Sequence, residues 1–189
     1  DRIATGNRIL IDGATGTEIE RRGVPQLDNA WNGGGALSHP EILRTVHEDY
    51  IREGAEIVIS NTFATHMHAL RDAGVEHQFE LLNRRGVEIA IEARDRMDAP
   101  DVLVAGGISY WSWSGNWPEP EDLRVAAEQQ ASIMAHAGAD LLMLEMMVDI
   151  ERMIVTFEAA QSSGLPVWAG LSCAPDESGT MALLRGGSL

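Results

Sequence analysis

Residues 141–148 read Leu141-Leu142-Met143-Leu144-Glu145-Met146-Met147-Val148. A run that is apolar at odd and even positions alike is what a strand buried on both faces of a parallel sheet requires. Glu145 interrupts it, and an unpaired carboxylate in such a place carries a heavy desolvation cost. The same construction occurs four more times along the chain: Asp12 follows Ile9-Leu10-Ile11, Asn61 follows Ile57-Val58-Ile59, Ser109 follows Val102-Leu103-Val104, and Cys173 follows Val167-Trp168-Ala169. Each of the first four ends leads into a helical stretch. Repeated βα units with polar side chains gathered at the carboxyl ends of parallel strands describe the working face of a (β/α)8 barrel, an α/β fold of TIM-barrel type. Such a barrel takes about 250 residues, so the 189 residues of this chain are expected to form a single domain, 1–189, with about the first five βα units.

The connecting segments fit that reading. Residues 13–18 form a glycine-bearing turn, and Gly33-Gly34-Gly35 marks a second loop, expected to be flexible, beside Trp31. Ser38 with Glu41 three residues on predicts a capping box, Pro40 suits a first helical turn, and Leu43, Val46, His47, Tyr50 and Ile51 share one face. A short segment over 66–73 precedes a helix near 76–97 that buries Phe79, Leu82, Ile89 and Ala93. A third helix is expected over about 119–137. A fourth starts at an Asp149 cap and buries Ile150, Met153, Ile154 and Phe157 before Gly164 stops it. Residues 175–189, rich in Gly, Ser and Asp, carry no clear element and end where a fifth helix should begin.

Composition narrows the function. The formal net charge is −15, from 14 Lys+Arg against 29 Asp+Glu, which argues against nucleic-acid or anionic-membrane partners, since both need basic surface. Small-molecule substrates are the better expectation, and a homo-oligomer is left open. With Cys173 the only cysteine, neither an intrachain disulfide nor a multi-thiolate metal site can form from this chain alone, which fits a reducing, cytoplasmic setting. The longest apolar run is far below the roughly 20 residues of a bilayer span. The start shows no apolar signal core.

Glu145 reads as a carboxylate awaiting a ligand's cationic group, or as a general base with a raised pKa. The competing reading is an internal salt bridge, but no assigned strand carries an inward basic residue. Asp12 stands in a similar position, next to the Gly13 backbone; its alternative is to cap the following turn. Asn61 and Thr62 offer an amide and a hydroxyl for ligand contact or for turn stabilisation, and Ser109 a further hydroxyl. His66-x-His68 raises metal ligation, yet two positions apart on a helix the rings point to different sides, and a solvated helix start is expected. His47 is read as a satisfied packing histidine, and Cys173 as packed or site-lining. Residues 110–117 place three of the five Trp in one loop. Their aromatic faces suit an onium cation, or else a lid or subunit contact.

Ile11-Asp12-Gly13-Ala14-Thr15-Gly16-Thr17-Glu18-Ile19-Glu20-Arg21-Arg22-Gly23, Val46-His47-Glu48-Asp49-Tyr50, and the run from Gly54 through Asn61-Thr62-Phe63 resemble the homocysteine S-methyltransferase family. Val104-Ala105-Gly106-Gly107-Ile108-Ser109, Ala139-Asp140-Leu141-Leu142-Met143-Leu144-Glu145 and Gly170-Leu171-Ser172-Cys173 extend the match in order, over about residues 8–189. The resemblance implies the amino-terminal part of a homocysteine-binding (β/α)8 barrel, with methyl transfer from a sulfonium, betaine-like or folate/cobalamin-type donor to the thiolate of homocysteine, giving methionine. It implies zinc as cofactor, held by cysteines that lie beyond Leu189, so that no metal ligand is expected in this chain and the chain alone is expected to be inactive. By resemblance Glu145 takes the homocysteine amino group, and Asp12 and the Gly13 backbone sit at the amino-acid end. Asn61 and Thr62 line the pocket, while Trp31 and the loop running from Tyr110 and Trp111 to Trp117 face the donor; Ser109 is kept as a substrate-binding candidate from its place at a strand end. The segment Gly106-Gly107-Ile108-Ser109-Tyr110-Trp111 departs from the family's usual Gly-Ser-Ile-Gly-Pro. Two other readings remain at this point: a non-catalytic amino-acid-binding or assembly fragment, and a barrel lyase or hydrolase using Asp12 and Glu145 as acid and base.

Overall fold

The structure, a computed structural model, describes residues 3–186. Its centre is a four-stranded parallel sheet of β1 (Ile57–Ile59), β2 (Leu103–Ile108), β3 (Leu141–Met147) and β4 (Val167–Leu171), in spatial order β1-β2-β3-β4. Each new strand is added on the same side of the last, with α5 (Phe79–Arg96), α6 (Pro120–His136) and α7 (Ile150–Gln161) as the crossovers. Right-handed crossovers taken repeatedly in one direction keep the helices on one face of the sheet. This is how a barrel wall grows, although among the described residues the sheet stays open and no closed barrel is observed.

Strand parity separates the two faces. Val58, Val104, Leu142 and Leu144 pack with Val87, Ala90, Ala131 and Met134 of the helices. Ile57, Ala105, Leu141 and Met143 cluster on the other face with Ile59 and Trp168. Gly107 and Glu145 fall on this second, helix-free face by the same alternation. Gly106 faces the helices and is glycine because a Cβ there would stand 2.6 Å from the Met134 sulfur.

Several expectations change in the structure. Residues 9–11 make a single parallel bridge, Ile11 to Ile57, rather than a full strand, and Leu10 and Ile11 are 54% and 42% exposed. Residues 15–21 are not a turn but the helix α1 (Thr15–Arg21). The three glycines are packed rather than loose. Gly35 opens α2 (Gly35–Ser38), where a side chain would meet Ile19 at 2.8 Å, and a Cβ on Gly33 would stand 3.0 Å from the Ala30 and Ala64 carbonyl oxygens. Ser38 ends α2 and donates to the Gly34 carbonyl, so the residue flanking α3 (Pro40–Arg52) is His39, without a side-chain cap. Asp149 does cap α7, accepting from Arg152 N at 2.9 Å. The buried stripe of α7 is Thr156, Ala159 and Ala160, while Ile150 and Ile154 face outward at 39% and 48% exposure. After β4 the chain forms a hairpin of β5 (Cys173–Pro175) and β6 (Met181–Leu183), its turn held by Asp176, which accepts from the amides of Ser178 and Thr180. The expected start of a fifth helix falls partly on residues 187–189, outside the described residues.

Candidate active site

Glu145 faces the helix-free side by alternation, and the strand bulges directly after Leu144. Leu144 pairs with Ala169 and Met147 with Leu171, so Glu145 and Met146 together oppose Gly170 alone. Met146 takes the left-handed conformation with φ 56°, a strained state for a side chain with a Cβ. Bulges of this kind re-aim side chains beside functional sites. The Glu145 carbonyl is held by the Ser109 hydroxyl, which donates to it at 3.0 Å.

The Glu145 carboxylate lies over Gly107 of β2, in the space a Cβ would fill. Burial pushes its pKa from 4.5 to about 8, and the Asp12 charge adds to the rise. Among the described residues no Arg or His pairs with it. Asp12 accepts from the Ile59 amide at 2.8 Å through Oδ2, which extends the sheet ladder, while Oδ1 is sealed from solvent without a partner. Burial raises its pKa from 3.8 to about 7 against the lowering effect of that hydrogen bond. Asp12 therefore joins the chain's start to β1 rather than capping the next turn. Tyr50 covers the adjacent Gly13, where a Cβ would stand 2.8 Å from its hydroxyl oxygen.

A cleft of about 410 Å³ opens above these groups. Glu145 and Met146 form one wall, residues 13–16 another, and Trp31, Phe63, Trp111 and Trp113 an aromatic side. Trp31 lies against Gly16, where a Cβ would meet its ring at 2.6 Å. Phe63 sits edge to face between Trp31 and Trp113, with centroid distances of 6.2 and 5.8 Å. Asn61 lines the cleft and donates to the Asn32 carbonyl at 2.9 Å. Of the residues singled out from sequence, Gly13, Trp31, Asn61, Trp111 and Glu145 thus share one cleft, with Asp12 behind it.

Three do not line it. The Thr62 hydroxyl is buried and clamps β2, donating to the Gly107 carbonyl at 2.8 Å and accepting from the Gly107 amide at 3.1 Å. Ser109 opens on a separate groove of about 360 Å³ between α4 (Met67–Asp72) and α6. Tyr110 is fully buried; its hydroxyl donates to the Asp149 carbonyl at 3.1 Å and accepts from the amides of Val148 and Asp149 at 3.0 and 3.2 Å. Conversely, sequence reasoning did not single out Asn32, Phe63 or Met146. Asn32 is buried, donates to the Gly16 carbonyl at 2.7 Å, and leaves its Oδ1 unpartnered. Its neighbour Trp31 was the only local signal.

The histidines are not ligands in waiting. His66 is a buried cap of α4, accepting from Ala69 N through Nδ1 and donating from Nε2 to the Trp111 carbonyl at 3.0 Å. Its ring stacks on His68 at 6.4 Å because His66 stands in extended backbone before the helix, so the spacing that separates rings on a helix does not apply. His47 is fully buried, but both ring nitrogens lack partners, and it is not the satisfied histidine expected. Cys173 is half-buried on β5. Among the described residues no three of His, Cys, Asp or Glu converge as metal ligands, so the zinc that the resemblance implies does not fit the residues present.

The sequence profile of the family described as homocysteine S-methyltransferase matches residues 9–189. The chain belongs to this family. It is 27% identical over 177 residues to betaine–homocysteine S-methyltransferase 1 of Bos taurus, covering 93% of this chain and 43% of that protein. Homocysteine S-methyltransferase 4 of Zea mays is 28% identical over 187 residues, covering 86% of this chain and 55% of that protein. The selenocysteine methyltransferase of Astragalus bisulcatus is 32% identical over 170 residues, covering 74% and 50%. This member of the homocysteine S-methyltransferase family thus spans about half the length of the curated relatives it matches. In three dimensions it is similar to the metallated form of the homocysteine methyltransferase MmuM from Escherichia coli, with TM-score 0.80 and 25% identity over 99% of this chain and 70% of that chain. No described helix is long and apolar enough to cross a membrane.

Proposed function

We propose that the cleft binds homocysteine by its amino-acid end and holds a methyl donor against its aromatic side, within an enzyme that transfers the methyl group to homocysteine sulfur and yields methionine. The observation that carries this reading is the Asp12 and Glu145 pair. Glu145 lines the cleft and Asp12 lies behind it, near enough for its charge to raise Glu145 further, and both carboxyl groups are raised in pKa by burial. An α-ammonium group placed there supplies the missing charge in a site of low dielectric, where charge-assisted hydrogen bonds are strongest. Opposite, Trp31, Phe63, Trp111 and Trp113 offer ring faces and edges, each well-placed ring attracting an onium methyl donor by about 0.5–2 kcal/mol. The barrel expected from the sequence is the scaffold of this proposal, supported by the sequential order of the strands.

The contribution of these residues is positional. Holding sulfur and methyl carbon in line within the cleft lowers the entropic part of the barrier. No step is assigned to zinc, since the described residues do not form its site. Relatives that are named as methyltransferases support this reading over a lyase or hydrolase that uses the same carboxyl pair as acid and base.

The test is to assay the intact gene product with L-homocysteine and a panel of sulfonium, betaine-like and folate donors, with and without a chelator. Methionine should form with at least one donor and homocysteine should bind in calorimetry. Absence of homocysteine binding would overturn the proposal.

A further inference from the structure

His66 is buried against the aromatic side of the cleft without lining it. It is 3% exposed and borders the neighbouring groove, whereas Trp111 and Trp113 line the cleft itself. Its ring engages both of them, by different means. Nδ1 accepts from the Ala69 amide at 3.3 Å, so the proton of the neutral ring is on Nε2, which donates to the Trp111 carbonyl at 3.0 Å. The same ring lies nearly parallel to Trp113, with centroids 6.5 Å apart and 13° between the planes. We propose that His66 is a positioning residue for the methyl donor: its single N–H fixes the main chain at Trp111 and its face steadies the ring of Trp113, so that both indoles keep their places on the cleft wall. This inference rests on the reading of that side as the donor's place.

Three demands meet at residue 66. The first amides of α4 need an acceptor, a loop carbonyl 45 residues further along the chain needs a donor, and Trp113 has a flat neighbour there. A neutral imidazole supplies all three, and a protonated one does not, because it would turn a second donor toward the Ala69 amide. Burial holds the ring neutral, lowering its pKa from 6.5 to about 4. The rest of α4 strengthens the tie: His68 donates to the Asn116 carbonyl, Ser114 donates to Asp72, and the His68 ring stacks on His66 at 6.4 Å. From Trp113 the order passes to Phe63 and on to Trp31 through their edge-to-face contacts. His66 thus supports the aromatic side from behind. The loop it holds starts in the segment where this chain departs from the family's Gly-Ser-Ile-Gly-Pro.

The experiment uses the intact gene product and two substitutions that divide the functions of the imidazole. His66→Gln keeps a donor near the place of Nε2 and loses the cap, while His66→Asn keeps a cap acceptor near the place of Nδ1 and loses the donor. Tetramethylammonium and trimethylsulfonium are the probes and tert-butanol is the uncharged control, with binding read from the indole N–H signals of Trp111 and Trp113 in NMR. Calorimetry with L-homocysteine and thermal melting accompany each titration. His66→Asn should weaken binding of both cations by about fivefold or more, the loss of one well-placed ring, and His66→Gln should lose less because the main-chain tie survives. Melting temperatures should take the opposite order, since Asn is the better cap. Homocysteine affinity should stay at the wild-type value in both. Unchanged cation binding in His66→Asn, an affinity order that follows the melting order, or a matching loss of homocysteine affinity would overturn the role of His66 and leave the donor side standing. If His66→Asn does not fold, wild type decides: saturation with tetramethylammonium should shift the His66 Nε2–H signal, and a signal that stays in place would overturn the role equally. Wild-type protein that binds neither cation in preference to tert-butanol would overturn the donor side as well.

Discussion

Glu145 and His47 are ionisable groups enclosed without a protein partner, and they load the fold in opposite pH directions. Folding raises the Glu145 pKa from 4.5 to about 8, so the folded chain keeps a proton that the unfolded chain releases between those values. The stability it contributes is full below 4.5 and is lost as pH rises toward 8, with a slope of up to about 1.4 kcal/mol per pH unit. Asp12 acts in the same direction between 3.8 and about 7. Glu145→Gln should flatten the alkaline side of a plot of melting temperature against pH and weaken homocysteine binding by about 2–5 kcal/mol. Calorimetry showing wild-type affinity in this variant would sink the amino-group assignment. His47 is lowered from 6.5 to about 4 by burial, so its contribution is full above 6.5 and lost as pH falls toward 4. His47→Leu should stabilise the protein at pH 7 by about 1–3 kcal/mol by removing two unpartnered nitrogens, and should lessen its acid sensitivity; urea denaturation at pH 7 and 5 measures both. Glu145 and Asp12 were legible as polar breaks in apolar runs, because desolvation cost attaches to residue type alone. The directions taken by Thr62, Ser109 and Tyr110 were not, because a hydroxyl at a strand end serves a ligand or a neighbouring backbone equally well until the neighbour is known.

At the scale of elements, the loop after β2 is built around Tyr110 rather than draped over the cleft. Its hydroxyl serves two amides and one carbonyl at the start of α7. Trp111 and Trp117 meet edge to face at 5.6 Å, and the Arg185 guanidinium lies 4.1 Å over the Trp117 ring, so the loop is pinned to the end of the β5–β6 hairpin as well. Tyr110→Phe should destabilise the protein by about 1–3 kcal/mol, since the Val148 and Asp149 amides lose their acceptor. Guanidinium denaturation reads that loss, and a variant as stable as wild type would mean that water replaces the hydroxyl. Helix positions followed from 3.6-residue periodicity and from Pro, Gly and Asp signals, as Asp149 shows. Helix faces were less secure: the pattern in α7 admits either the stripe of Ile150 and Ile154 or that of Thr156, Ala159 and Ala160. In the structure Thr156, Ala159 and Ala160 are buried and Met153 and Phe157 pack partly buried against the core, while Ile150 and Ile154 face outward.

For the molecule as a whole, the described sheet has two unfinished sides. Leu10 and Ile11 are exposed beside β1, and Leu171, Met181 and Leu184 are 47%, 49% and 50% exposed beyond β3. Open edges with apolar side chains recruit partners or self-associate. Residues 1–189 expressed alone should therefore show concentration-dependent association in sedimentation velocity. A monodisperse monomer at high concentration would show that these edges are protected in another way.

The order of the central strands and their crossover helices, the parallel character of the sheet and the burial of Glu145 and Asp12 were legible in the sequence alone. Periodicity and the cost of burying charge are local properties, legible one segment at a time. Only the tertiary structure decided that the Glu145 carboxylate lies over Gly107, that Asp12 is bonded to the Ile59 amide, and that Tyr110 points into the core. Those outcomes depend on strand register and on contacts between segments far apart in the chain, and no single segment carries that information.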